Sequence, residues 1–99
     1  MTTFMQYGEK TMITVTSIDN TTFEVVVEDT ATTTHRVTVP HAYYERLTKK
    51  RVAPDVLVER SFKFLLQRES NTSILRSFEL SEISRYFPEY EKTIQGMLK

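Results

Sequence analysis

The sequence contains no cysteine among its 99 residues, and its only glycines are Gly8 and Gly96. Without cysteine, the chain can form no disulfide, no thiolate metal site and no thiol nucleophile. Two glycines cannot build the glycine-rich loops that hold phosphate groups in Rossmann and P-loop proteins. These two scarcities exclude disulfide-stabilised domains and the commonest nucleotide-binding motifs.

Long apolar runs and a surplus of charge are also missing. No apolar stretch approaches the ~20 residues of a membrane-spanning helix, and the segment MTTFMQYGEK lacks the hydrophobic region of a signal peptide. We therefore expect a cytoplasmic protein without a membrane partner. The 13 basic and 13 acidic residues cancel, whereas nucleic-acid-binding domains usually carry a basic surplus that neutralises phosphate. The charge balance disfavours a nucleic acid partner without excluding one.

The apolar content is sufficient for one modest core. Hydrophobic residues make up 39% of the chain, and chains usually divide into domains only beyond ~250 residues. We therefore predict a single domain over residues 1–99. Its composition changes once, from a Thr- and Val-rich β part at about 12–39 to a helical part at about 40–98.

Three segments of the first part have the alternation of β-strands. Residues 12–18, 22–28 and 35–39 are β-branched, with apolar and polar side chains in turn. The turn-forming residues 19–21 connect the first two segments as a hairpin. The pattern predicts a three-stranded antiparallel meander with one face on the core and the other in water.

The second part is typical of short helices packed on one face of that sheet. Pro40 and Pro54 suit the first turns of two helices, and an apolar stripe runs through residues 54–69. Residues 73–78 predict a third short helix, and Ser81 is a plausible N-cap for the next. The predicted fold class is therefore α+β, a three-stranded meander followed by four or five helices.

The last apolar stripe leaves two interpretations open. Its residues follow one another at helical spacing across Pro88: Ile83, Phe87, Tyr90, Ile94 and Met97. The end of the chain is therefore one kinked helix, or two helices of which the second begins at Pro88.

The sequence offers no convincing catalytic or metal-binding pattern. His35 and His41 lie on different predicted elements, and no acidic residue completes a ligand set with them. We expect His35 to be a strand residue beside the core. No serine stands in a nucleophile-elbow context or is paired by spacing with a histidine. The prediction is a protein without cofactor or metal, and an enzyme is disfavoured.

The stretch HRVTVPHAYYERL followed by PDVLVERSFKFLL, within residues 35–69, resembles the ribbon-helix-helix repressors. In that family, a strand from each of two subunits forms a ribbon that enters the major groove of DNA. The resemblance implies that residues of the strand face bases and that basic residues hold phosphates. These DNA-contacting residues would be Arg36, Thr38, Lys49, Lys50 and Arg51. Such a ribbon needs a free strand, whereas the two earlier strands are expected to pair with 35–39.

The segment SFKFLLQRESNTSILRSFELSEISRYFPEYE, residues 61–91, gives a second resemblance. It is similar to the C-terminal part of small uncharacterised bacterial proteins with an SFxFLLxRE…SIL…F.L..I..YFPEY pattern. This resemblance implies a small stand-alone domain, and it implies no activity, cofactor or ligand.

Surplus aromatic residues are the best candidates for contacts with a protein partner, because tyrosine is enriched at interfaces. The four candidates are Tyr43, Tyr44, Phe64 and Tyr86. Phe64 lies off the apolar stripe of residues 54–69, so either the later chain covers it or it is a surface contact. We therefore expect a small non-catalytic binding or interaction protein, for which a homodimer is one possible arrangement. The alternative is a DNA-binding regulator, and an unrecognised small enzyme is the third option.

Overall fold

The structure is a computed structural model that describes residues 11–98. Its sheet has four strands: β1 Met12–Ser17, β2 Thr22–Glu28, β3 Thr32–Thr38 and β4 Ser77–Glu79. The spatial order is β1-β2-β3-β4. The first three strands form an antiparallel meander, and β4 adds to β3 in parallel. The fold is α+β, with a mixed sheet of four strands where the sequence predicted three.

The other regular elements of residues 11–98 are four α-helices and two short 3₁₀ turns. The helices are α1 His41–Thr48, α2 Pro54–Leu66, α3 Ile83–Tyr86 and α4 Tyr90–Met97, and the turns are Asn71–Ser73 and Leu80–Glu82. Pro40 is the N-cap of α1, and Pro54 is the first residue of α2. Both positions suit proline, which has no N–H to donate in a first helical turn.

The predicted helix over residues 73–78 is wrong. The segment leaves a 3₁₀ turn at Ser73, runs extended, and enters β4 at Ser77. Ile74 and Phe78 are both buried, and their spacing of four residues fits a helix as well as the two ends of an extended segment. The backbone N–H of Arg36 donates to the carbonyl of Arg76 at 2.7 Å. The segment therefore forms a strand because its backbone pairs with the second edge of β3.

Two predicted boundaries near the C-terminus also change. Ser81 is not an N-cap; it lies inside the turn Leu80–Glu82, where its hydroxyl donates to Glu79 at 2.6 Å. The apolar stripe belongs to two helices, and the second begins at Tyr90 instead of Pro88. Pro88 disfavours helical geometry in the residue before it, and Phe87 accordingly has φ −132° and ψ 88°.

The helices cover one face of the sheet, and the core lies between the two layers. The inward residues of β2 and β3 are fully or almost fully buried: Phe23, Val25, Val27 and Val37. The facing side of α2 contributes Leu57, Val58 and Phe62, and α4 contributes Tyr90 and Ile94. The alternate residues of the strands lie on the opposite face of the sheet, and six of the eleven in β1–β3 are threonines.

Candidate binding groove

A buried polar network joins β3 to the segment that follows α2. His35 is 1% exposed, and its Nδ1 lies 2.8 Å from the carbonyl oxygen of Leu75. A carbonyl only accepts, so Nδ1 carries the proton and Nε2 accepts from the hydroxyl of Thr33 at 2.8 Å. The amide of Asn71 in turn donates to Thr33 Oγ1 and to the carbonyl of Ala31, both at 2.9 Å. The network ties residues 71–75 to the sheet.

Both nitrogens of the His35 ring are occupied in this network. Its removal from water lowers the pKa of His35, because burial penalises the charged imidazolium. The ring also packs against Phe62, with 5.3 Å between the centroids. His35 is therefore a neutral residue beside the core, as the sequence indicated.

An open apolar groove of about 220 Å³ lies beside the segment that this network holds in place. We call it the α2–α3 groove, because it runs between the end of α2 and the short helix α3. The buried side chains that line it are Leu65, Ile74, Phe78 and Ile83. The more accessible lining residues are Glu69, Ser73, Leu75, Tyr86 and Phe87.

Two large apolar side chains remain exposed at this groove. Leu75 is 48% exposed and Tyr86 is 66% exposed. In residues 11–98, the other large hydrophobic side chains that are exposed are Met12 and Ile18. Apolar surface that stays in water beside a concave site is a common mark of a protein or ligand contact.

Glu69 places a carboxylate at the same groove. Partial burial raises its pKa, since the charged form is poorly solvated there. Within residues 11–98 its side chain forms no hydrogen bond or ion pair that would compensate, and the neighbouring Arg68 pairs instead with Glu89 at 3.2 Å. The groove therefore combines apolar walls with a carboxylate that lacks a cationic partner among the described residues.

Two of the predicted contact residues are used inside the molecule. Tyr43 is half-buried and donates to Glu91 Oε2 at 2.9 Å, and Arg46 reaches the same carboxylate with Nη2 at 3.0 Å. We call this cluster, together with Ser84, the α1–α4 junction. The hydroxyl of Tyr44 donates to the carbonyl of Val52 in the loop before α2. Both tyrosines hold α1 in place.

Phe64 is fully buried, and its prediction as a surface contact is wrong. Its ring meets Tyr90 edge-on at 5.2 Å and Phe87 at 5.9 Å, both from the chain that follows. The guanidinium of Arg68 lies over the ring at 3.6 Å. Of the four aromatic candidates, Tyr86 alone is exposed, and it lines the groove.

The residues of the DNA-binding alternative lie in two places. Arg36 and Thr38 are on the sheet face opposite the helices, whereas Lys49, Lys50 and Arg51 follow α1 in the helical layer. Strand β3 has β2 on one side and β4 on the other. A ribbon shared with a second subunit needs a free edge on that strand, and β3 has none.

The sequence argument missed most of the groove. Leu75 was not a candidate because residues 73–78 were assigned to a helix, and Phe87 was assigned to the last apolar stripe. Glu69 was not singled out by any pattern in the sequence. A signal was present in the SIL and YFPEY segments, which supply Ser73, Leu75 and Tyr86 of the groove.

Comparison of the chain with protein-family models, with curated protein sequences and with solved structures finds no match. Across residues 11–98, no three acidic or histidine side chains are grouped closely enough to hold a metal ion. The helices of this same part of the chain are too short or too polar to cross a bilayer.

Proposed function

We propose that this protein is a non-catalytic binding protein, and that the α2–α3 groove holds a short apolar segment of a protein partner next to a basic residue. The observation that carries the proposal is the pairing of Leu75 and Tyr86, both exposed, with the uncompensated carboxylate of Glu69. Each part of this arrangement selects a different feature of the partner.

The size of the groove favours side chains over a cofactor. Its volume of about 220 Å³ lies below the ~300–1,000 Å³ of pockets that enclose drug-sized ligands. One or two apolar side chains of a partner fit such a volume. Burial of these side chains, together with the exposed surface of Leu75 and Tyr86, would supply the affinity.

The chemistry of the groove favours binding over catalysis. It offers one carboxylate and the hydroxyls of Ser73 and Tyr86, and no histidine or lysine lines it. A hydroxyl nucleophile needs a general base within hydrogen-bond distance, and among the described residues Glu69 forms no hydrogen bond with the hydroxyl of Ser73 or of Tyr86. The carboxylate can instead pair with a lysine or arginine of the partner, and this pairing would relieve the desolvation that now raises the pKa of Glu69.

The test uses two short peptides, one with a Leu-Leu-Lys core and one with a Leu-Leu-Glu core, titrated into ¹⁵N-labelled protein. We expect the Lys peptide to shift the amide resonances around Leu75 and Tyr86, with at least ~5-fold weaker binding of the Glu peptide because two carboxylates then meet. The variant Glu69→Gln should abolish that preference while it retains binding of both peptides.

Two substitutions on exposed side chains provide the matched comparison. Leu75→Ser should weaken binding by about 10-fold, in line with the loss of one apolar contact. Met12→Ser removes a side chain of β1 that is 60% exposed, and should leave binding unchanged. Equal effects of the two variants, or shifts that map away from the groove, would contradict the proposal.

A further inference from the structure

Strand β1 is the outer strand of the sheet, and within residues 11–98 its second edge pairs with no other strand. Natural proteins usually protect such an edge with lysine, proline, a bulge or an inward-pointing charge. The segment MITVTSI, residues 12–18, contains no charged residue, no proline and no glycine. This edge therefore lacks the sequence features that prevent pairing with another strand.

Two large apolar side chains are exposed at the ends of the same segment. Met12 is 60% exposed and Ile18 is 46% exposed. They are six positions apart, so the alternation of the strand directs both to the threonine-rich face of the sheet. An isolated sheet edge leaves these two side chains in water.

The hydrogen bonds of the sheet determine which backbone groups this edge presents. The N–H of Ile18 donates to the carbonyl of Thr22 at 2.8 Å. Every second residue of β1 from there is bonded to β2, because hydrogen-bonded and non-hydrogen-bonded pairs alternate in an antiparallel ladder. The backbone N–H and C=O groups of Ile13, Val15 and Ser17 therefore point towards the free edge.

These free groups are self-complementary about Val15. Antiparallel pairing with a second copy, with Val15 opposite Val15, also brings Ile13 opposite Ser17 on each side. The Val15 pair forms two backbone hydrogen bonds and each of the two Ile13–Ser17 pairs forms two more, six in total. The same register sets Met12 of one copy against Ile18 of the other, in the pair type where side chains approach most closely.

We infer that the free edge of β1 binds a second copy of this chain, so that two four-stranded sheets form one continuous eight-stranded sheet. The two-fold symmetric arrangement buries the exposed side chains of Met12 and Ile18 and places no like charges opposite each other. The α2–α3 groove lies by β4, at the other edge of the sheet. Dimerisation therefore leaves both grooves accessible, and it does not depend on the function proposed for them.

The contact area sets the expected strength. Two paired copies of the segment 12–18, with their flanking side chains, should bury less than about 1,200 Å² in total. This area lies at the low end for specific interfaces. Such interfaces are typical of weak or transient complexes, so we expect a dissociation constant in the micromolar range. The association must therefore be measured up to several hundred micromolar protein.

Sedimentation equilibrium of the full chain, with two matched variants, tests the inference. Thr14 and Thr16 are exposed and lie opposite each other across the two-fold axis. Thr14→Lys/Thr16→Lys puts like charges in both facing pairs and should weaken the dimer at least ~10-fold. Thr14→Glu/Thr16→Lys differs only in the sign of the charge at the first position, and should form a dimer at least as tight as the unsubstituted chain.

Amide hydrogen exchange gives a second readout at single residues. Thr14 and Thr16 donate to β2 and should be protected at every concentration, whereas Ile13, Val15 and Ser17 should become protected only as the dimer forms. The groove variant Leu75→Ser should leave both measurements unchanged. A chain that stays monomeric at several hundred micromolar, or charge variants that behave alike, would overturn the inference.

Discussion

The α1–α4 junction and the α2–α3 groove contain the same residue types in opposite circumstances. Each has a tyrosine and a glutamate that come from different parts of the chain. At the junction, the Glu91 carboxylate accepts a hydrogen bond from the hydroxyl of Tyr43. It also accepts hydrogen bonds from Nη1 and Nη2 of Arg46, at 3.2 and 3.0 Å. These bonds lower the pKa of Glu91, whereas partial burial raises the pKa of Glu69 at the groove.

The tyrosines differ in the same way. Tyr43 is half-buried, and its hydroxyl is bonded to a carboxylate of its own chain; Tyr86 is 66% exposed beside apolar side chains. The residue type alone therefore does not show whether a tyrosine or a glutamate forms contacts inside its own chain or belongs to a contact surface. What decides is whether the same chain also supplies the opposite charge and the covering side chains.

The largest effect should come from the aromatic contact candidate that is fully buried. Phe64→Ala removes a fully buried ring from contact with Phe87 and Tyr90, and should lower the free energy of unfolding by about 3–5 kcal/mol. Tyr86→Ala, at the exposed side of the same region, should change it by no more than about 0.5 kcal/mol. Urea denaturation of the two variants measures both values. Similar losses would show that Tyr86 also belongs to the core.

The sequence predicted β1, β2 and most of β3 correctly because their alternation extends over six or seven residues. It missed β4, which has three residues and depends on a partner strand about 40 positions earlier. Local periodicity carries no information about that pairing. The groove was missed for the same reason, since Leu75 reaches it only when the segment after the turn Asn71–Ser73 leads into β4 beside β3.

Phe64 shows a different limit of prediction from sequence. It lies off the apolar stripe of α2, and from the sequence it could be either covered by the later chain or a surface contact. The chain from Phe87 to Tyr90 covers that side, and this covering depends on the break at Pro88. Tyr86, in contrast, is exposed on the outer side of α3, and its contact with a partner stays a prediction.

A smaller effect is expected in the pH dependence of stability, which should differ between the groove and the α1–α4 junction. The groove segment is held through His35, whose pKa in the folded chain lies below the value of 6.5 for an unperturbed histidine. The fold therefore favours the neutral ring, and this stabilisation is complete above pH 6.5 and is lost as pH falls through the folded-state pKa. We expect the free energy of unfolding to decrease between pH 7 and pH 5.

Two variants test whether His35 is the group that causes this pH dependence. His35→Gln should flatten the dependence between pH 7 and pH 5, because the titrating ring is absent. His41→Gln removes the other histidine of the chain, which is exposed, and should leave the dependence intact. The protection of amides from exchange, relative to their intrinsic rate at each pH, should also decrease first around Leu75 as the pH falls, before the α1–α4 junction responds. If the pH dependence of stability remained in His35→Gln, a group other than His35 would be its cause.

The smallest effects on the free energy of unfolding are expected when each of the two glutamates is replaced. At pH 7, Glu91→Gln removes the charge that Arg46 pairs with, and should lower the free energy of unfolding by about 1 kcal/mol, because the pair is partly exposed. Glu69→Gln removes a poorly solvated charge without a cationic partner among the described residues, and should change stability by less than about 0.5 kcal/mol, in the stabilising direction.

The two glutamate effects should also differ in their dependence on pH. The pKa of Glu91 lies below its usual 4.5 in the folded chain, so its stabilisation is present above pH 4.5 and is lost as pH falls through the folded-state pKa. The pKa of Glu69 is raised, so neutralising this residue can help only above pH 4.5. Denaturation at pH 7 and pH 3 measures both. A loss in Glu69→Gln as large as that in Glu91→Gln would mean that the chain already pairs this carboxylate, and the groove would then have no free charge to offer a basic partner.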